Sequence, residues 1–165
     1  MNPEGMPFAN PFERDILLPD GCKDITYFPT RRTHAEPEFR VRPLKNVESY
    51  LLGRLASGAH FAPLELSSMD SRVKVALERW SEDVRIFPMA PSLERERDID
   101  EFFNARGISP FIDRLVGHPG RPNRVLGFDL KGDPKLITVL VMDLLSSVYG
   151  MEPDAEIELS YYPAQ

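Results

Sequence analysis

Three side chains around residue 120 have the types needed for a small metal or acid–base site. Asp129 ends a predicted strand, and Asp113 and His118 come shortly before it in the chain. Two carboxylates and one imidazole are groups that hold a divalent cation or transfer protons. A small metal-dependent enzyme is therefore one hypothesis, with His118, Asp129 and Asp113 as its candidate catalytic residues.

Sequence motifs of better-defined chemistry are missing. The sequence has no Gly-rich phosphate loop, no Gly-x-Ser-x-Gly elbow and no His-Glu-x-x-His zinc helix. Its histidines, His34, His60 and His118, are far apart in the chain. Cys22 is the single cysteine, which excludes an internal disulfide, and only Lys23 lies beside it to activate the thiol. We therefore predict no cofactor and no metal centre, and a chain that is not primarily an enzyme.

The N-terminal segment is rich in proline. Residues 1–44 contain seven prolines, which exclude helix over most of the segment and favour extended structure. The segment also has more apolar side chains than a solvated tail needs. Either this arm lies on the body of its own domain, or it docks on another protein with Phe8, Pro11 and Phe12 as partner-binding residues. Short strands are expected at 24–28 and 39–42.

The clearest element is a helix between Asp133 and Gly150. Asp133 has the side chain of an N-cap and Pro134 suits the first helical position. Gly150 can take the left-handed conformation that ends a helix. Apolar side chains recur between them at helical spacing, so we predict a central helix covered on most of its circumference.

Strands are predicted on both sides of this helix. Residues 124–130 and 155–162 each alternate apolar and polar side chains. Strand, helix, strand is the order of a β-α-β unit, with Asp129 and its neighbours at the carboxyl end of the first strand.

The remaining pattern alternates helices and strands. Asn46 to Gly58 reads as a helix, and residues 61–66 as a strand that Pro63 should place near a sheet edge. A strand follows at 84–88, then a helix begins at Ser92 or Asp98 and ends at Gly107. Residues 110–116 fit either a short helix or a strand that forms a hairpin with 125–130.

Residues 69–81 fit two patterns. Val73, Ala76, Leu77 and Trp80 have helical spacing, and Asp70 is placed to cap a helix. We therefore expect a helix here. The alternative is a strand, which would make residues 60–89 a three-stranded meander.

Composition limits the class of protein. The chain has 165 residues, 42% of them hydrophobic, which fits one folded domain. A net charge of -6 makes nucleic acid an unlikely partner. No apolar run reaches the length of a membrane span, and the N-terminus lacks a secretory signal, so a cytoplasmic location is expected.

Together these features predict an α+β fold of one domain. We expect a mixed, mainly antiparallel sheet covered by three to four helices, with a Pro-rich arm at 1–44, a compact domain at 45–165 and a C-terminal β-α-β unit. The leading functional hypothesis is a non-catalytic protein–protein interaction or assembly module that uses its arm and sheet surface. The partner would be another protein or a second protomer. A peptide-binding, secretion-chaperone-like module is the alternative, if residues 46–149 form helix, three strands, helix, two strands, helix. The metal-dependent enzyme is the third.

Overall fold

The computed structural model describes residues 38–79, 82–116 and 123–163. These residues form a seven-stranded sheet and three α-helices. All six strand pairings are antiparallel, so the prediction of an α+β fold with a mainly antiparallel sheet is confirmed. The strand predicted at 24–28 lies outside the described residues.

The elements follow one another along the chain with short connections. The strands are β1 (Glu38–Pro43), β2 (Phe61–Ser68), β3 (Lys74–Arg79), β4 (Val84–Pro88), β5 (Pro110–Val116), β6 (Asn123–Leu130) and β7 (Glu156–Pro163). The helices are α1 (Val47–Ala56), α2 (Leu93–Asn104) and α3 (Pro134–Asp143), and α3 continues into a π-helical turn at Leu144–Val148.

The spatial order of the strands is β1-β7-β2-β3-β4-β6-β5. Strands β2, β3 and β4 form a meander, and β5 and β6 form a hairpin. β6, α3 and β7 follow one another in the chain, and the antiparallel pairings make β6 and β7 run in the same direction. Three other strands lie between them, so the two strands are not neighbours in the sheet.

Both ends of α3 follow their local signals. The Asp133 side chain accepts a hydrogen bond of 2.8 Å from the Leu136 backbone N–H, and Pro134 occupies the first turn. Gly150 has a φ of +66° just beyond the π-helical turn. Inside that turn the Ser146 and Ser147 hydroxyls donate to carbonyl oxygens of the preceding turn. Such bonds often bend a helix, and they occur here where the α geometry changes to π geometry.

The helix expected at 69–81 is wrong. Residues 74–79 are strand β3, and a turn precedes them. Asp70 caps no helix, because its carboxylate accepts hydrogen bonds from the Ser68 hydroxyl (2.6 Å) and the Arg72 backbone N–H (3.1 Å). These bonds close the turn between β2 and β3, where Ser71 has a φ of +60°. Trp80 lies outside the described residues.

Pro63 does not place β2 at an edge. β2 lies between β7 and β3, and both of its pairings shift register between Phe61 and Leu64. A proline lacks the N–H that a regular ladder requires, and this irregularity accommodates it inside the sheet. Ser92, not Asp98, caps α2, since its side chain accepts a hydrogen bond from the Arg95 backbone N–H.

The helices pack on one face of the sheet, which we call the first face. Leu126, Phe128 and Leu130 of β6 point to this face, as the alternation predicted, and Phe103 of α2 stacks on Phe128. The hydrophobic residues that the three helices and the π-helical turn bury all belong to this one cluster. In the described ranges, every helix is too short or too polar to cross a membrane.

Candidate functional site

The opposite face of the sheet, which we call the second face, also carries buried side chains. Five buried apolar residues do not belong to the core cluster of the first face. Each lies on a different strand. Four of them are next in sequence to a residue of that cluster, and Ile112 pairs with Gly127, whose neighbours Leu126 and Phe128 belong to the cluster. They are Ala76, Phe87, Ile112, Val125 and Tyr162. Because successive side chains of a strand point to opposite faces, all five lie on the second face.

A row of direct cross-strand neighbours runs across this face. Ser160 of β7 pairs with Glu65 of β2, Glu65 with Ala76 of β3, and Ala76 with Phe87 of β4. All four residues are buried, and the Glu65 carboxylate lies 3.7 Å from the Lys74 ammonium. A carboxylate is costly to remove from water without a charged or hydrogen-bonding neighbour. The row is therefore built as an interior surface with one compensated charge.

Gly127 marks the tightest packing on the second face. A Cβ atom at this position would lie 2.5 Å from Ile112 Cγ2 and 2.8 Å from the Phe87 ring. Phe111 packs against Phe87 edge-to-face, with ring centroids 5.8 Å apart. Gly127 is thus required because aromatic and aliphatic side chains lie directly on its backbone. Phe111 is 37% exposed, so one side of this apolar cluster reaches solvent.

Arg85 joins two carboxylates on the same face. Its Nε donates to Asp129 at 3.0 Å, and its guanidinium lies 3.7 Å from the Glu78 carboxylate. Glu78 is only 2% exposed. The Arg85 guanidinium also lies 4.7 Å from the centre of the Phe111 ring, a cation–π contact. Arg85 therefore links the buried charge to the exposed aromatic edge.

Asp113, one of the predicted catalytic residues, belongs to an ion-pair cluster on the first face. Arg124 donates two hydrogen bonds of 2.7 Å to the Asp113 carboxylate and one of 2.9 Å to Asp100 of α2. Glu96, also on α2, lies 3.5 Å from the same guanidinium. Hydrogen bonds from Arg124 lower the pKa of Asp113, against the opposing effect of burial. The same bonds raise the pKa of Arg124. This cluster fastens α2 to the β5–β6 hairpin.

The structure does not bring Asp113 and Asp129 together. Asp113 pairs with Leu126, so it faces the helices, whereas Asp129 pairs with Arg85 on the second face. The sheet separates the two carboxylates, and each is engaged by a different arginine. His118 lies outside the described residues, as do Phe8, Pro11 and Phe12. Within residues 38–79, 82–116 and 123–163, no three His, Cys, Asp or Glu side chains are grouped to hold a metal ion.

A groove of about 1020 Å³ lies at one end of the sheet. Three methionines, Met69, Met89 and Met151, contribute to its lining, together with Arg95 and Tyr149. The Tyr149 hydroxyl donates to the Met89 carbonyl at 2.6 Å, and burial raises the pKa of Tyr149. Arg95 lies over the Tyr149 ring and donates to the Val148 carbonyl. The polar groups of the groove thus hold its walls together, and the methionines give it an adaptable apolar lining.

The second face was not identified from the sequence. Its signal is an apolar run without alternation, Val75-Ala76-Leu77 in β3 and Ile86-Phe87-Pro88 in β4. Such runs are typical of strands that are buried on both faces. Comparisons of the chain with protein-family models, with curated proteins and with solved structures gave no match.

Proposed function

We propose that the chain is a non-catalytic protein-interaction module whose second face receives an extended segment of a protein. One observation carries the proposal. Apolar side chains from β7 to β5 are buried on a face against which none of the three described helices packs. Phe111 at the β5 edge of this face is partly exposed, and an extended segment fits a sheet face that none of the described helices occupies.

The chemistry of the face defines the segment that it would bind. Phe87, Gly127 and Ile112 form an apolar centre, and the face also bears carboxylates, among them Glu65 and Glu78. Because these two carboxylates are buried beside Lys74 and Arg85, a complementary segment is defined by the aromatic or aliphatic side chains that it presents to Phe111.

The rim at Phe111 is the best candidate for an energetically important contact. Phe111 is partly exposed, rests edge-to-face on Phe87 and lies beside the Arg85 guanidinium. Aromatic and arginine side chains are the types most enriched among residues that dominate binding energy. We therefore place the entry to the docking face at this edge.

Site-specific photo-cross-linking in the native cell tests the location. A photoreactive phenylalanine analogue replaces Phe111 in one variant and Leu136 in the control variant, since Leu136 is exposed on α3 at the other side of the protein. We expect a protein segment to be cross-linked from position 111 and not from position 136. The proposal fails if position 136 captures the same protein as efficiently.

A second candidate is a peptide-binding, secretion-chaperone-like module. Residues 47–148 run helix, three strands, helix, two strands, helix, which is the element order on which that hypothesis depends. The groove with Met69, Met89 and Met151 offers it an adaptable apolar site. A photoreactive residue at the exposed position 69 distinguishes the two candidates. Capture of client polypeptides from position 69, and not from position 111, favours the chaperone-like function.

A further inference from the structure

The groove at one end of the sheet has a fixed backbone and an adaptable lining. The turn between β2 and β3, the start of α2 and the segment after the π-helical turn contribute to its walls. The Met89 N–H donates to the Lys74 carbonyl at 2.9 Å, and the Met151 N–H donates to the Leu145 carbonyl at 3.0 Å. The methionine side chains themselves are unbranched and flexible, so they fit apolar groups of different shapes.

The size of the groove suits part of a polypeptide. Its volume of about 1020 Å³ lies at the top of the range of about 300–1,000 Å³ that is typical of small-molecule pockets. Val73 and Pro91 add to the apolar lining. Met69 is 56% exposed, so the lining is open to solvent at this side chain. The groove therefore has room for several apolar side chains of a bound segment.

The positive charges of the groove are compensated within the chain. Arg95 lies 3.3 Å from the Asp98 carboxylate and also donates to the Val148 carbonyl. Arg72 lies 3.7 Å from the Asp70 carboxylate. Each guanidinium in the lining thus has a carboxylate of its own chain beside it.

Two carboxylates of the groove are not compensated in this way. Glu152 and Glu156 line the groove, and both residues are exposed. In the part of the chain that the structure describes, neither side chain forms an ion pair or a hydrogen bond. Such carboxylates attract and orient a ligand of opposite charge. The charge of the groove therefore favours a basic ligand.

We propose that this groove binds an amphipathic helical segment of a partner protein, apolar on one side and rich in lysine or arginine on the other. The apolar side packs on Met69, Met89 and Met151, which is a common mode of peptide recognition by a groove. The basic side chains lie beside Glu152 and Glu156. This inference rests on the second candidate function, for which it names the class of segment that is bound.

A synthetic peptide tests the groove in the full chain. The probe consists of leucine and lysine at helical spacing and is about four turns long, and its matched control has glutamate in place of lysine. Methyl NMR of the methionines and leucines of the protein records each titration. We expect the leucine–lysine peptide to shift the methyl signals of Met69, Met89 and Met151. Leu115 and Leu136 are exposed outside the groove, and their signals should stay in place.

Three results would overturn the proposal. The first is the absence of any shift, and the second is a shift that is larger at Leu115 or Leu136 than at the methionines. The third is equal binding of the leucine–glutamate peptide, which would mean that the groove takes apolar segments irrespective of their charge.

Charge reversal separates the groove from the general acidity of the chain. The Glu152→Lys, Glu156→Lys variant should bind the leucine–lysine peptide about tenfold more weakly or worse. Glu48→Lys, Glu101→Lys is the control, because these exposed residues of α1 and α2 lie outside the groove and the net charge changes equally. The control should weaken binding by less than about threefold. Equal losses in the two variants would contradict binding at the groove.

The candidate functions have readouts of their own. Capture of client polypeptides from position 69 stands even if the leucine–lysine peptide does not bind, and so does cross-linking from position 111. Failure of the peptide therefore contradicts the basic segment alone. Docking on the second face does not depend on it.

Discussion

Arg85 and Asp129 form an ion pair of 3.0 Å on the sheet face against which the described helices do not pack. Asp129 was the centre of the catalytic hypothesis, and its position beside Arg85 gives it a structural role. The same guanidinium approaches the buried Glu78 carboxylate. The pair therefore belongs to the framework of the second face.

Substitutions of Asp129 and of Arg85 should lower the free energy of unfolding by different amounts. Asp129→Asn should lower the free energy of unfolding by less than about 1 kcal/mol, because the pair is partly exposed. Arg85→Met should cost about 2 kcal/mol, because it leaves the Glu78 charge buried without this cation. Urea unfolding measures both, and Glu78→Gln in the Arg85→Met background should recover part of the loss. Equal losses for the two single variants would contradict this assignment, as would a bound metal or an activity lost in Asp129→Asn.

The hydrogen bonds between Arg124 and Asp113 should make the stability of the protein depend on pH in the acidic range. Hydrogen bonds from Arg124 hold the pKa of Asp113 below its ordinary value of 3.8. A carboxyl group with a lowered folded-state pKa stabilises the protein above its unfolded-state pKa, and this contribution is lost as pH falls through the folded-state pKa. Arg124→Met should cost about 2 kcal/mol at pH 7, since it removes several charge-assisted hydrogen bonds.

The difference between Arg124→Met and the unmodified protein should narrow below about pH 4, as Asp113 becomes protonated in both. Urea unfolding at pH 7, pH 5 and pH 3 measures the effect. Arg97→Met is the control, since this exposed residue of α2 lies outside the cluster. If the difference in free energy of unfolding between Arg124→Met and the unmodified protein stays constant down to pH 3, Asp113 does not stabilise the protein through Arg124.

Gly127 and Gly53 form a matched pair of substitutions. Gly127→Ala should cost about 2 kcal/mol, because its Cβ would overlap Ile112 and Phe87. Gly53→Ala lies in α1 with nothing within 4 Å of the new Cβ, so it should stabilise by about 0.5–1 kcal/mol. Thermal unfolding of both variants measures the difference. A Gly127→Ala protein as stable as the original would mean that the second face is loosely packed.

The parts of the fold that the sequence predicted correctly depend on local sequence features. Asp133, Pro134 and Gly150 fix the two ends of α3 within a few residues, and the spacing of Leu126, Phe128 and Leu130 identifies the strand side that faces the helices. Such features need no knowledge of distant contacts. They were therefore accessible from one sequence.

The errors came from contacts between distant segments. β3 was mistaken for a helix because Ala76 is buried on the second face, which removes the polar alternation that identifies a strand. Asp113 and Asp129 were grouped because they are near in sequence, but the register of β5 on β6 decides that they face opposite ways. The candidate site could not be predicted for the same reason, since six strands assemble it.

The most direct test of the docking face is the affinity of the protein that position 111 cross-links. That partner is purified and titrated calorimetrically into the full chain and into two variants, Phe111→Ser and Leu136→Ser. Both substituted residues are partly or largely exposed, so both variants should fold, and urea unfolding verifies this. We expect Phe111→Ser to weaken binding about tenfold or more, and Leu136→Ser to change it by less than about twofold. Unchanged binding by Phe111→Ser, with a loss in Leu136→Ser, would contradict docking on the second face.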